Sequence, residues 1–276
     1  YALVRLKAYD QLAAAVLDGS GQPRVRWWPV AYALQRLGDS RASNALTSLA
    51  KEPHPHTRAF AVKGLGALKS RAALPTLLPL AAGTDRAVVI QTVRALGQIG
   101  DPSAAPTLIK MIQDARTDPH VRLEAVSAAG RVRAPGVYDL LLDALSDSSP
   151  AVRAAALQST ATFDPDAFVA VLSGLDADSN WTVRAALASA LGTLAPDAGL
   201  PRLMSLLNDS DQRVIPAVIG SLVKLRAPNL EAILLDRLKA EDPVVRAAAA
   251  TGLGELKPAS GAQALAAAYT AAERDS

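Results

Sequence analysis

The side chains best placed to do chemistry in this 276-residue chain are three histidines and a recurring column of arginines. His54 and His56 flank a proline, and His120 stands at the same offset from Arg122 that His56 has from Arg58. A neutral imidazole can ligate a metal or relay a proton near neutral pH. If the two turns belong to stacked helix pairs they lie about two spacings of roughly 10 Å apart, too far to share an ion. The residues therefore favour solvated turns, and no metal site is expected. Cysteine is absent, so disulfides, thiolate metal sites and a cysteine nucleophile are excluded. The chain carries no glycine-rich phosphate loop and no Gly-x-Ser-x-Gly elbow. No catalytic residue and no cofactor is expected.

The arginine column reads Trp27, Arg58, Val89, Arg122, Arg153, Arg184, Ile215 and Arg246, with steps of 31 residues and a single step of 33. A guanidinium in an otherwise apolar helix needs acceptors, because burying it alone costs several kcal/mol. Arg58, Arg122, Arg153, Arg184 and Arg246 are accordingly read as a structural ladder that sets repeat-to-repeat geometry. Asp85, Asp118, Asp211 and Asp242, each four residues before its column position, and the carbonyls ending the neighbouring helix are the expected partners. Trp27, Val89 and Ile215 interrupt the ladder.

A second column positions the first. Leu46, Leu77, Leu108, Leu141, Leu172, Leu203, Leu234 and Leu265 keep the same steps. A fixed period of this size means one helix-turn-helix unit copied along the chain, each copy stable only when stacked on its neighbours. Glycine follows the apolar site seven residues after the column position in five units (Gly66, Gly97, Gly130, Gly192, Gly254). Apolar spacings of three and four, as in Val152, Ala156 and Leu157, are helical. Asp101-Pro102, Asp118-Pro119, Ser149-Pro150, Asp164-Pro165 and Asp242-Pro243 mark helix starts, a cap followed by a residue that needs no hydrogen bond. Pro29 and Pro216 fall later, where a tilt or a loosened first turn is expected.

The fold expected is all-α, a right-handed α-α superhelix of about eight two-helix repeats. It forms a single array over residues 1–276, with a partial repeat over 1–18 and the full repeats over 19–276. Tyr1 to Leu6 lines up with Tyr32 to Leu37, differing only at Val4 against Gln35. The chain thus starts in mid-repeat, and we expect the array to be a segment of a longer protein.

The units Asp118-Pro119-His120-Val121-Arg122, Ser149-Pro150-Ala151-Val152-Arg153 and Asp242-Pro243-Val244-Val245-Arg246 resemble the short HEAT-like repeat of phycobilin lyases. The resemblance covers the whole chain and implies the fold; it leaves function open, since such arrays serve as scaffolds, adaptors and lyase subunits. The stretches Trp27 to Tyr32 and Asp211 to Pro216 are similar, more weakly, to the HEAT segment of bacterial proteins that also carry a cyclophilin-type prolyl isomerase domain. The isomerase residues themselves are not in this chain. HEAT-like di-iron hydroxylases carry His-Glu pairs on their helices, which this sequence lacks.

In HEAT-like arrays the Val-Arg helices line the concave side. Carried onto this sequence, the groove-facing set includes Arg24, Trp28, Tyr32, His56, Phe60, Lys63, Arg86, Gln91, Arg94, His120, Glu124, Trp181, Thr182 and Arg213. Aromatic residues and cations gather in the first four units, whereas the same positions near Ala151 to Ala155 and Ala247 to Ala248 are alanine-rich. Such anchors carry most of the energy of recognition surfaces. The expected function is a non-catalytic scaffold module binding a neutral or acidic protein or peptide, with another domain of the same parent among the candidates. The plainer reading of Trp27 and Trp28 is that they fill the gap left by a missing arginine. An alternative implied by the weaker resemblance is an accessory domain that helps a prolyl isomerase capture substrate. Another is a HEAT-like nucleic-acid-binding or DNA glycosylase module, which a net charge of only +3 disfavours. A monomer is expected rather than a homo-oligomer. No apolar stretch is long enough to span a membrane as a helix. The absence of cysteine suits a bacterial cytoplasm or periplasm alike.

Overall fold

A computed structural model of the chain describes residues 2–271. The alternating columns become alternating helices. One compact unit ends at Ala144 and the other begins at Leu145. The first contains α1 (Ala2–Arg5), α2 (Tyr9–Val16), α3 (Trp28–Leu37), α4 (Ser43–Leu49), α5 (Pro55–Ala67), α6 (Leu74–Ala81), α7 (Arg86–Ile99), α8 (Ala105–Gln113), α9 (Pro119–Ala129) and α10 (Val137–Asp143). The second contains α11 (Pro150–Phe163), α12 (Pro165–Leu172), α13 (Trp181–Leu191), α14 (Pro196–Leu206), α15 (Ile215–Lys224), α16 (Leu230–Arg237), α17 (Pro243–Leu256) and α18 (Gly261–Ala271).

Odd helices from α3 onward carry the arginine column and even helices from α4 onward the leucine column. In the first unit α3 packs on α5, α5 on α7 and α7 on α9, while α4, α6 and α8 each pack on the odd helix that follows. In the second, α11, α13, α15 and α17 form the same succession, and α16 packs on α17. The fold is thus an all-α solenoid built from stacked helix pairs. Leu46, Leu77, Leu108, Leu141, Leu203 and Leu234 are completely buried, as expected of side chains covered only by the adjacent pair.

Helix starts follow the local chemistry. The carboxylates of Asp118 and Asp242 each accept two backbone N–H groups of their own first turns, and Asp164 accepts that of Ala167. Ser149 occupies a cap position without a side-chain cap; its own N–H instead donates to Asp147 at 2.8 Å. Of the two effects expected at Pro29 and Pro216, the loosened start is what the chain shows at Pro216, where three-residue turn bonds over Asp211 to Ile215 precede the helix. Both prolines sit in the first turn of helices that simply start later, at Trp28 and Ile215, which leaves no intrahelical bond for the ring to break. Prolines within helices occur instead at Pro79 and Pro201.

Neighbouring odd helices approach until there is no room for a side chain. A Cβ on Gly97 would lie 2.7 Å from the Cα of Ala128, and one on Gly66 2.7 Å from the Cα of Ala95. Gly254, in the last odd helix of the described residues, would meet nothing within 4 Å.

Candidate functional site

The ladder arginines are held by a pattern that repeats. Nη1 of Arg153 donates to the carbonyls of Asp147 and Ser148, at 2.8 and 3.3 Å. The corresponding carbonyls, six and five residues upstream, serve Arg184 (Asp178 and Ser179), Arg246 (Ala240 and Glu241) and Arg58 (Glu52 and Pro53). Nε of Arg122 donates to the carbonyl of Ile112, next to the two-residue insertion. The aspartates four residues before the column position serve elsewhere: Asp85, Asp118 and Asp242 cap their own helices and Asp211 pairs with Arg213.

The carboxylates that grip the guanidinium come from the next repeat. Arg153 donates Nε and Nη2 to the two oxygens of Asp178, at 2.6 and 2.9 Å, and Arg184 does the same to Asp209, at 2.7 and 2.9 Å. The hydrogen bonds from Arg153 and Arg184 hold the Asp178 and Asp209 carboxyls below the usual carboxylate range, against the opposing push of burial. Each carboxylate also accepts a backbone N–H two residues on, at 2.8 Å, which fixes its direction before the arginine arrives. The signal for this second column was present: Asp147, Asp178 and Asp209 recur at 31 residues. It is easily passed over because the partner lies 25 residues away instead of within the same helix.

The candidate binding residues of the first unit sit on successive odd helices. Trp28 and Tyr32 are on α3, Phe60 and Lys63 on α5, Gln91 and Arg94 on α7, and His120 and Glu124 on α9. Three aromatic rings come together across α3 and α5. The Trp28 and Phe60 centroids are 6.1 Å apart and tilted, and those of Tyr32 and Phe60 are 5.3 Å apart, edge to face. Trp28 remains 43% exposed. Trp27 is 56% exposed, so it does not fill the place of a ladder arginine; Arg26 reaches Glu52 at 2.9 Å beside it.

Several charges of this face are already matched. Arg94 pairs with Glu124, and Arg86 pairs with Asp118 at 3.0 Å and with His120 Nδ1. Lys63 and His56 are exposed, and His56 lies beside His54 with ring centroids 5.5 Å apart. Arg24 is tied to the loop before α3 through the Leu17 carbonyl at 2.6 Å. Where Val89 replaces a ladder arginine, a cleft of about 400 Å³ opens, lined by Gly83, Thr84, Arg86, Val89, Met111 and Asp118 among others. In the second unit, Arg213 stacks over the Trp181 ring at 4.5 Å. Among the described residues no three His, Asp or Glu side chains are grouped to hold a metal ion, and no helix is long and apolar enough to cross a membrane.

Comparison with known proteins agrees with this architecture. The Escherichia coli protein YibA is similar in structure, with 23% identity, a TM-score of 0.54, and 75% of this chain and 76% of that one covered. The CpcE–CpcF complex of phycocyanin lyase from Nostoc sp. PCC7120 aligns with 18% identity and a TM-score of 0.46, over 97% of this chain and 94% of that one. Human deoxyhypusine hydroxylase aligns with 18% identity and a TM-score of 0.39, over 93% and 97%. No match emerges from comparison with curated protein sequences. The sequence pattern of HEAT repeats matches residues 9–93, 81–161 and 168–241, and the chain belongs to the HEAT-repeat family.

Proposed function

We propose that the chain is a non-catalytic, protein-binding scaffold module, and that it engages a protein or peptide through the exposed odd-helix face of its first unit. The observation that carries this reading is the Trp28, Tyr32 and Phe60 cluster, three aromatics in ring contact across two helices with Trp28 partly exposed to solvent. Large aromatics presented together on a rigid pair of helices lose little entropy on binding and supply the area that anchors a partner. The matched pairs Arg94–Glu124 and Arg86–Asp118 reduce the free positive charge of the same face, which weighs against a nucleic-acid stripe. An accessory role beside a prolyl isomerase has no observation of its own to favour it.

Peptide ligands selected from a random library against the intact chain provide the test. The double variant Trp28→Ala/Phe60→Ala should lose more than tenfold in affinity, about 1.4 kcal/mol or more, while its urea midpoint moves little. Unchanged affinity, or a loss of helicity matching the loss of binding, would remove the aromatic cluster from the binding reading.

A further inference from the structure

Within the ladder, Arg58 and Arg246 lack an acid at the position that supplies the carboxylate to Arg153 and Arg184, and at Arg58 a guanidinium nitrogen is buried there without a partner. The position 25 residues on, occupied by Asp178 for Arg153 and Asp209 for Arg184, is Gly83 for Arg58. The structure shows the consequence at the atom concerned. Nη1 of Arg58 keeps the carbonyls of Glu52 and Pro53, but Nε is buried with no hydrogen-bond partner. In both sister repeats that nitrogen donates to an aspartate oxygen, at 2.6 and 2.7 Å. At Ile215 both columns are lost, the position 25 residues on being Ala240, whereas Val89 keeps an acid there, Asp114, and Arg246 has Ala271. At Arg58 the acid is gone and the nitrogen it would meet is buried without an acceptor. A Cβ placed on Gly83 would meet the Leu80 carbonyl oxygen at 3.1 Å, a tight backbone contact, and no side chain within 4 Å.

A buried guanidinium N–H without an acceptor is costly, and a planar fork is matched by a carboxylate. We propose that the Nε/Nη2 edge of Arg58 is a seat for a carboxylate supplied from outside the chain, an Asp or Glu side chain of a bound protein. The sister repeats define the chemistry: two parallel N–H···O bonds to one carboxylate, in a site that also keeps the Nη1 carbonyl contacts. The source of the acid rests on the protein-binding reading, whereas the seat itself does not, and the two are tested by different variants.

The seat is read directly from the Arg58 Nε–Hε resonance of the folded, ¹⁵N-labelled chain. Sodium acetate, compared with sodium chloride at equal ionic strength, should shift it saturably. Gly83→Asp fills the seat from within, so in that variant the resonance should start near the acetate-saturated position, respond at least tenfold less to acetate, and accompany a higher melting temperature. Arg58→Lys, which keeps the charge but not the fork, should lose the acetate response while the chain stays folded. Equal shifts with acetate and chloride, or an undiminished acetate response in Gly83→Asp, would overturn the proposal. The Trp28→Ala/Phe60→Ala variant should keep the saturable acetate response whether or not it loses peptide binding, so failure of one reading is distinguishable from failure of the other.

Discussion

One, two and five residues past the ladder position, α11, α13 and α17 present Ala154, Ala155 and Gln158, then Ala185, Ala186 and Ser189, then Ala247, Ala248 and Thr251. At the same places α3, α5, α7 and α9 present Trp28, Pro29 and Tyr32, then Ala59, Phe60 and Lys63, then Ile90, Gln91 and Arg94, then Leu123, Glu124 and Ser127. The ladder behind these faces differs in the opposite sense. Carboxylates grip Arg153 and Arg184 of the second unit, whereas Arg58 of the first has Gly83 at the acid's position and a buried Nε without a partner; outside these repeats, Val89 and Ile215 replace an arginine in either unit and Arg246 holds carbonyls. The charge-locked helices α11 and α13 are thus plain outside, whereas α5, which carries Phe60 and Lys63 outside, has an unpartnered guanidinium nitrogen within.

The strongest way to break this contrast is to cut the lock. Arg184→Ala strands the Asp209 carboxylate, whose side chain is only 5% exposed, and should lower the unfolding free energy by about 3 kcal/mol in urea titrations. Arg58→Ala removes bonds to carbonyls alone and should lower it by about half as much. Equal losses would erase the distinction between the two ladders.

Helix contact offers a second comparison. Gly97→Ala drives a methyl into Ala128 and should destabilise by about 2 kcal/mol, since backbone cannot yield as a flexible side chain does. Gly254→Ala meets open space and should stabilise by up to about 1 kcal/mol through helix propensity. Melting temperatures of the two variants moving in the same direction would show that the close approach is not what demands glycine.

Acid provides the mildest probe. Because Asp178 and Asp209 have folded pKa values below their ordinary range, their contribution is complete above about pH 4, the unfolded-state value. It is lost as the pH falls through the lowered folded values. The pH dependence of the urea midpoint below about pH 4 should therefore flatten in an Arg153→Met/Arg184→Met double variant. An acid limb as steep as that of the parent would assign the titration to other carboxylates.

Much of the fold was written in the residue columns. Burial of Leu77, Leu108 and Leu203 and the alternation of odd and even helices follow from period and apolarity, both of which are local or strictly repeated. At Pro29 and Pro216 the sequence left a tilt and a loosened start both open, because a helix can begin at a proline as readily as bend there and spacing does not choose between them. For the first unit's face, side-chain types at helical spacing suggested which helices would carry it. The pairing of Arg94 with Glu124 and of Arg86 with Asp118 was not visible, since it depends on how far adjacent repeats slide past each other. The Arg–Asp clasps escaped for the same reason: nothing within a single helix brings residues 25 apart together.

Asp178 has two jobs, with its carbonyl taken by the arginine of its own repeat and its carboxylate by the arginine before it. Three consecutive repeats are thereby hooked in series, so the middle one cannot peel away without unhooking both of its neighbours. Ala240 supplies a carbonyl but has no second hook. Fraying under strain can thus begin at α17, while α11 to α14 must let go as a block.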